Sequence, residues 1–209
     1  MTEPLTDAPH LRSGVEHSLL NKVFTARLGN YLSFGIGGST LSALRLNARR
    51  LVAVDTDESS VARIREHPEM AQAIAVGQAH ILHVDLGPVG PWGMPKDASR
   101  RIEWPRYISI TWKQWAALGE MPDLVYVDGR FRIAACLSVA LVQSRTARGS
   151  GDARVLFHDI CDDRPEYTIV LKYFDVIESA DSLYYLKVKR ELIFPELLCD
   201  FLQWQFDPR

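Results

Sequence analysis

Four short apolar runs in this 209-residue chain each stop at an aspartate. Leu51–Val54 runs into Asp55, His80–Val84 into Asp85, Leu124–Val127 into Asp128, and Arg154–His158 into Asp159. A fifth run, Tyr31–Phe34, ends instead in the glycine cluster Gly35-Ile36-Gly37-Gly38, followed by Ser39-Thr40. Carboxylates gathered at one edge can accept hydrogen bonds from sugar hydroxyls, ligate a divalent ion, or take up a proton. Without partners they repel one another, so packing alone explains the pattern poorly. An acid at Asp55 can accept from both hydroxyls of a ribose, and a turn of glycines lets backbone approach a ligand closely. Together they predict a nucleoside-bearing cofactor, although a tight strand-to-helix turn needs glycine on steric grounds alone.

The string Val127-Asp128-Gly129-Arg130-Phe131-Arg132 is the second chemical signal. Asp128 and Asp159 together can hold Mg²⁺, Asp128 can act as an acid, base or substrate contact, or it can simply pair with Arg130 or Arg132. Arg130, directly after the turn, can bind a carboxylate or phosphate through its two-pronged guanidinium, which predicts an anionic acceptor. Arg132 falls inside the following helix and reads as a surface or pairing residue. His158 titrates near neutral pH and is either a base or a hydrogen-bonded wall of the site.

Apolar periodicity supplies the elements that must position these groups. Strands are predicted near 30–34, 51–55, 80–84, 123–127 and 154–158, with helices over 39–48, 58–66, about 108–118 and 131–144. Asp57 is a candidate N-cap, and Pro68 lies just past the end of the helix it opens. Ser13 and Glu16 have capping-box spacing ahead of a stripe of Val15, Leu19, Val23, Phe24 and Leu28, which Gly29 ends. Pro165 starts a further helix to about Phe174. Val176-Ile177 and Leu183–Val188 then form an antiparallel pair across the turn 179–182, and Pro195 opens a last helix with Leu197, Leu198, Phe201 and Leu202 on one side. Short apolar strands alternating with helices predict a doubly wound, mostly parallel α/β sheet of Rossmann-like character, seven-stranded with the antiparallel pair at its end. Residues 1–12 read as a flexible tail and 13–209 as a single domain.

The stretch Leu86–Arg106 is rich in proline and glycine and carries Trp92 and Trp104. It reads either as an ordered cap over the cleft or as a loop pinned to the body by its tryptophans. Trp112 and Trp115 have helical spacing and read as core.

Hydrophobic residues at 47% and charged residues at 24% are ordinary globular values, and a net charge of −2 gives no basic face for nucleic acid. No apolar run is long enough to span a bilayer, and the polar N-terminus is no signal peptide. Three distant cysteines, Cys136, Cys161 and Cys199, have no metal-ligand spacing, which favours a reduced, cytoplasmic protein. Nothing in the residues bears on oligomeric state.

The order of five parallel strands, a helix and an antiparallel pair resembles the class I S-adenosylmethionine-dependent methyltransferases, from the glycine turn to nearly the end of the chain. The Val-Asp-Gly-Arg-Phe-Arg string is similar to that of a group of bacterial methyltransferase-like proteins. The resemblance implies S-adenosylmethionine as cofactor and a small-molecule acceptor methylated on oxygen. It places the methionine and sugar against Gly35, Gly37 and Gly38, the ribose on Asp55 and the adenine amino group near Asp85. Asp85 is also a common turn former. Ser33 stands where the family usually has an acid that anchors the cofactor's ammonium group. Within the resemblance, Asp128, Arg130, His158 and Asp159 are the candidate catalytic residues. A non-catalytic binding protein of the same fold is the alternative. A nicotinamide-dependent oxidoreductase is a further one, disfavoured because Thr40 occupies the place of its third glycine.

Overall fold

The computed structural model describes residues 8–144 and 152–209. Its strands are β1 (Asn30–Phe34), β2 (Arg50–Asp55), β3 (Ala79–His83), β4 (Leu124–Val127), β5 (Arg154–Phe157), β6 (Phe174–Ala180) and β7 (Leu183–Val188). They form one sheet in the order β3-β2-β1-β4-β5-β7-β6. The first five strands are parallel, and β7 runs antiparallel to both β5 and β6. The α/β Rossmann-like architecture read from the periodicity is therefore present, including the antiparallel end.

Helices cover both faces, which is why β1, β4 and most of β2 and β5 are buried and, apart from Asn30 and Ser33 in β1, apolar. On one face α1 (Gly14–Arg27), α2 (Gly38–Arg45), α3 (Glu58–Glu66) and α4 (Pro68–Ala75) pack Leu20, Phe24, Leu41, Ile64 and Met70 against Leu51, Ala53 and Tyr126. On the other, α5 (Arg106–Leu118), α6 (Arg132–Gln143) and α7 (Phe194–Trp204) pack Tyr107, Trp115, Phe131, Leu137 and Leu197 against Phe34, Val54, Val127 and Phe157.

Several local expectations shift. Pro68, expected beyond a helix, is the first residue of α4: it lacks only an N–H that a helix start leaves unpaired anyway. The helix expected from Pro165 is a 3₁₀ segment, Pro165–Lys172. The hairpin turn tightens to Asp181-Ser182, because β6 continues to Ala180. Val15 is exposed rather than part of the α1 stripe, as are Leu198 and Leu202 on α7. Within the expected tail, residues 1–7 lie outside the described residues, whereas residues 8–12 lie against the body. A Cβ added to Gly38 would collide with the Ala8 carbonyl, and the rings of His10 and Trp92 sit 5.4 Å apart.

The parallel register sets the chemistry-bearing residues level. Each ladder continues one residue past its strand: Gly35 N donates to Val54 O at 2.9 Å, Asp128 N to Phe34 O at 3.0 Å, and His158 N to Val127 O at 3.1 Å. The turns after β1 and β4 then meet backbone to backbone. A Cβ on Gly129 would fall 2.8 Å from Gly35 Cα and also against the Tyr107 hydroxyl, and one on Gly35, at φ +112°, would fall 2.9 Å from Gly129 Cα. Only glycine allows that approach. Gly129→Ala is expected to destabilise the fold by about 1–3 kcal/mol in urea unfolding. Gly37→Ala, whose Cβ meets nothing within 4 Å, should shift stability by less than about 0.5 kcal/mol.

Candidate functional site

The glycine turn and β2 are tied together by Asp55. Its Oδ2 accepts from Ile36 N at 2.9 Å, and its Oδ1 from Thr56 N at 2.7 Å and Asp57 N at 3.0 Å. Burial pushes this carboxyl above its ordinary value, against the pull of those three N–H donors. Gly37, at the start of α2, is open, whereas Gly38 is covered by Ala8 and Pro9. Ser33 is fully buried and spends its hydroxyl on Gly35 O at 2.8 Å. It faces its own turn, and no acid stands in its place.

Over this turn lies part of the proline-rich loop. Thr56 Oγ1 donates to Gly93 O at 2.7 Å, so residues 90–94 sit on the end of β2. Trp104 is buried 5.7 Å from Phe131, while Trp92, at φ +60°, stays 63% exposed beside His10. One tryptophan pins the loop and the other meets the N-terminal segment over the cleft. Asp85 is used inside that loop, paired with Arg100 and accepting from Gly87 N at 2.9 Å, with its side chain 57% exposed.

The candidate catalytic residues converge at the ends of β4 and β5, in one buried network of charges. Asp128 Oδ1 lies 2.9 Å from His158 Nδ1 and 3.2 Å from Arg132, and Oδ2 accepts from the Tyr126 hydroxyl at 3.1 Å. His158 Nε2 lies 3.3 Å from Glu16 Oε2, a carboxylate with no exposed surface. Glu16 also accepts from Arg12 N at 2.7 Å, Ser182 N at 2.9 Å and Ser182 Oγ at 2.6 Å. Asp159 faces three guanidiniums, Arg132 at 2.5 Å, Arg12 at 2.8 Å and Arg164. Arg132 is thus no surface residue: it is 4% exposed and also donates to the carbonyls of Gly129 and His158. Its i+4 spacing from Asp128 shows the pairing, but its second partner comes from another strand.

A neutral imidazole has one N–H, so a His158 with carboxylates at both nitrogens is held as the imidazolium. Burial opposes its charge, but the hydrogen bond and charge of Asp128, with Asp159 and Glu16, raise its pKa. Burial likewise opposes the charge on Asp128, yet His158 and Arg132 keep it below the usual range. For Asp159, Arg132, His158 and Arg164 outweigh burial and hold the carboxyl down to about 2. Three carboxylates meet three guanidiniums and a protonated histidine, so the cluster already holds one more positive charge than negative.

That excess of positive charge decides the metal question. Ligand atoms of Asp128, His158 and Asp159 lie within 4.8 Å of one another, a spacing an ion accepts. Their donor atoms already face cations or each other, and Mg²⁺ would add charge where Arg12, Arg132 and Arg164 already supply it. The residues do not fit the ion, and the expectation of Mg²⁺ on Asp128 and Asp159 is withdrawn.

Arg130 stands apart. Its N–H donates to the Tyr107 hydroxyl at 3.3 Å, its buried Nε has no partner, and no carboxylate among the described residues pairs with it. Burial and the neighbouring Arg132 lower its pKa. The two left-handed non-glycine residues nearest the site, Phe131 at φ +54° and Asp159 at φ +73°, flank this cluster. Such strain persists only where surrounding contacts enforce it. Glu16, Arg12, Tyr107, Arg164 and Ser182 escaped the sequence reading. Tyr126 alone left a signal there, lying two residues before Asp128 on the same strand face.

Folded-state charge on His158 links the cluster to pH. A raised histidine pKa gives stability that is full below about pH 6.5 and is lost as pH rises through the folded value. Asp159 acts oppositely, its contribution present above about pH 4 and lost as pH falls toward its own depressed value. Thermal melts across pH should show the alkaline decline flatten in His158→Gln. An unchanged alkaline limb would refute the imidazolium assignment.

No protein-family model matches the chain, and no curated protein matches it. Among solved structures it is similar to a methyltransferase-like protein from Silicibacter pomeroyi, with a TM-score of 0.75 and 24% identity over 97% of this chain and 100% of that one. No helix among the described residues is long and apolar enough to cross a membrane. The sheet order, the helices on both faces and this likeness establish a methyltransferase-like fold.

Proposed function

We propose that this chain binds S-adenosylmethionine and transfers its methyl group to an oxygen of a small anionic acceptor. The observation that supports this most is the open glycine turn at Gly37 joined through Ile36 N to Asp55, at the carboxyl edge of a methyltransferase-like sheet. In open α/β sheets ligands bind at that edge, where the strand order reverses between β1 and β4. When bound there, the cofactor supplies a methyl group activated by a sulfonium.

This chain's residues divide the remaining work. Gly37 presents backbone to the cofactor, and Asp55 accepts from ribose hydroxyls while bracing the turn. Asp128, half-buried and ionised, supplies the negative charge that Ser33 does not, facing the cofactor's cationic end. Arg130 holds the acceptor's anionic group. Gly93, Trp92 and residues 8–10 roof the cleft and exclude water. With His158 held as an imidazolium, alignment contributes more than proton removal. Three free cysteines fit a reducing, cytoplasmic setting.

The extensive internal pairing of Asp128, His158 and Asp159 favours a second reading, a non-catalytic cofactor-binding protein. Isothermal titration with S-adenosylhomocysteine tests the cofactor assignment common to both. Binding is expected, weakened roughly tenfold or more in Asp55→Ala through loss of charge-assisted hydrogen bonds. No heat and no thermal stabilisation at millimolar ligand would remove the proposal.

A further inference from the structure

The groups at the catalytic edge that could take a proton are already committed. Asp128 answers His158, Arg132 and Tyr126; Asp159 answers Arg12, Arg132 and Arg164; Glu16 is sealed beneath Ser182, Arg12 and His158. His158 has a carboxylate at each ring nitrogen and no free lone pair to offer. A neutral alcohol or phenol entering this site would find no acceptor for its proton. An oxygen that arrives ionised needs none.

The edge does hold one spare cation among the described residues. Among the arginines after β4 and β5, Arg132 pairs with Asp128 and Asp159, Arg164 pairs with Asp159, and Arg12 from the N-terminal segment spans to Asp159. Arg130 alone of this group lacks an acidic partner among the described residues, and its Nε is buried without one. Its backbone is fixed by the Tyr107 hydroxyl and by Phe131 in the left-handed region. A partly buried guanidinium whose Nε is shut from water without a partner is costly, and a planar carboxylate answers its fork at two points.

We infer that the acceptor is a carboxylic acid, bound as its carboxylate by Arg130 and converted to its methyl ester; this rests on the S-adenosylmethionine reading above. A lone pair on one carboxylate oxygen forms the new O–CH₃ bond. The S–CH₃ bond breaks with its electron pair returning to sulfur, so the sulfonium becomes the thioether of S-adenosylhomocysteine. No proton moves. The anion and the sulfonium are both neutralised, so the ester loses its attraction to Arg130 and leaves.

The test incubates the full chain with S-adenosyl-[methyl-³H]methionine and a protein-free metabolite extract. Label is expected in products that release volatile methanol on mild alkali, as methyl esters do and ethers and N-methyl compounds do not. The rate should be flat from about pH 6 to 9, because a carboxylic acid of pKa near 4 is fully ionised throughout. A hydroxyl acceptor would instead gain about tenfold per pH unit while its proton limits the rate. Arg130→Ala should lose labelling by about tenfold or more, with Arg130→Lys recovering part of it. Both variants should bind S-adenosylhomocysteine as the parent does, which a merely structural role would not guarantee. Alkali-stable label, a rate that climbs with pH, full labelling in Arg130→Ala, or no label despite intact S-adenosylhomocysteine binding would each overturn the inference. Loss of S-adenosylhomocysteine binding in the parent chain would instead strike the underlying cofactor reading.

Discussion

The ion pair between Arg132 and Asp159 is the interaction on which the rest of the edge depends. It is nearly solvent-free, with the two side chains 5% and 10% exposed. It joins the first turn of α6 to the second residue after β5, and through Asp128 it reaches the end of β4. Stripping two charges of water is expensive, and only the extra partners on each make the arrangement tolerable. Arg132 meets three carbonyls and two carboxylates, and Asp159 meets Arg12 and Arg164 in addition. Removing Arg132 or Asp159 strips the main partner from a buried opposite charge, and the cost of doing so helps keep Phe131 and Asp159 at unfavourable backbone angles.

The same network recruits parts of the chain that a sheet alone would not bring together. α1 contributes Glu16, the segment before it contributes Arg12, and the β6–β7 hairpin contributes Ser182. The last residues lean in from the other side, with Phe131 N donating to Pro208 O at 3.3 Å and Arg132 N to Arg209 O at 3.0 Å. Those two acceptors satisfy N–H groups that the start of α6 leaves unpaired. The positions of the catalytic candidates are therefore set by both ends of the polypeptide, while their height is set by the parallel register of β1, β4 and β5.

What the sequence disclosed follows from the range of each cause. Strand ends, the glycine turn and Asp55 were legible because period-two burial and tight turns are written in neighbouring residues. Arg132 was read as surface or pairing because its helical position is local knowledge, whereas its burial depends on Asp159, from a different strand. Glu16 was read as half of a capping box. Ser13 does cap α1, accepting from Glu16 N at 3.4 Å, but the Glu16 carboxylate turns inward to Arg12 N, Ser182 and His158. No spacing rule connects residues 142 or 166 positions apart. The metal expectation found no support for the same reason: two aspartates at adjacent strand ends were visible, and the guanidiniums and imidazole that pair with them were not.

The distance between Glu16 and Ser182 along the chain has a consequence for biogenesis. Contacts this remote close late, since a long loop must be ordered before they stabilise anything. As the polypeptide leaves the ribosome, α1 and the first strands can assemble while the Glu16 carboxylate still faces water. It loses that water only after β7 has been made and has turned back beside β5. The charge cluster is therefore completed together with the last strands of the sheet, and no earlier, because Ser182 reaches Glu16 only from the β6–β7 hairpin.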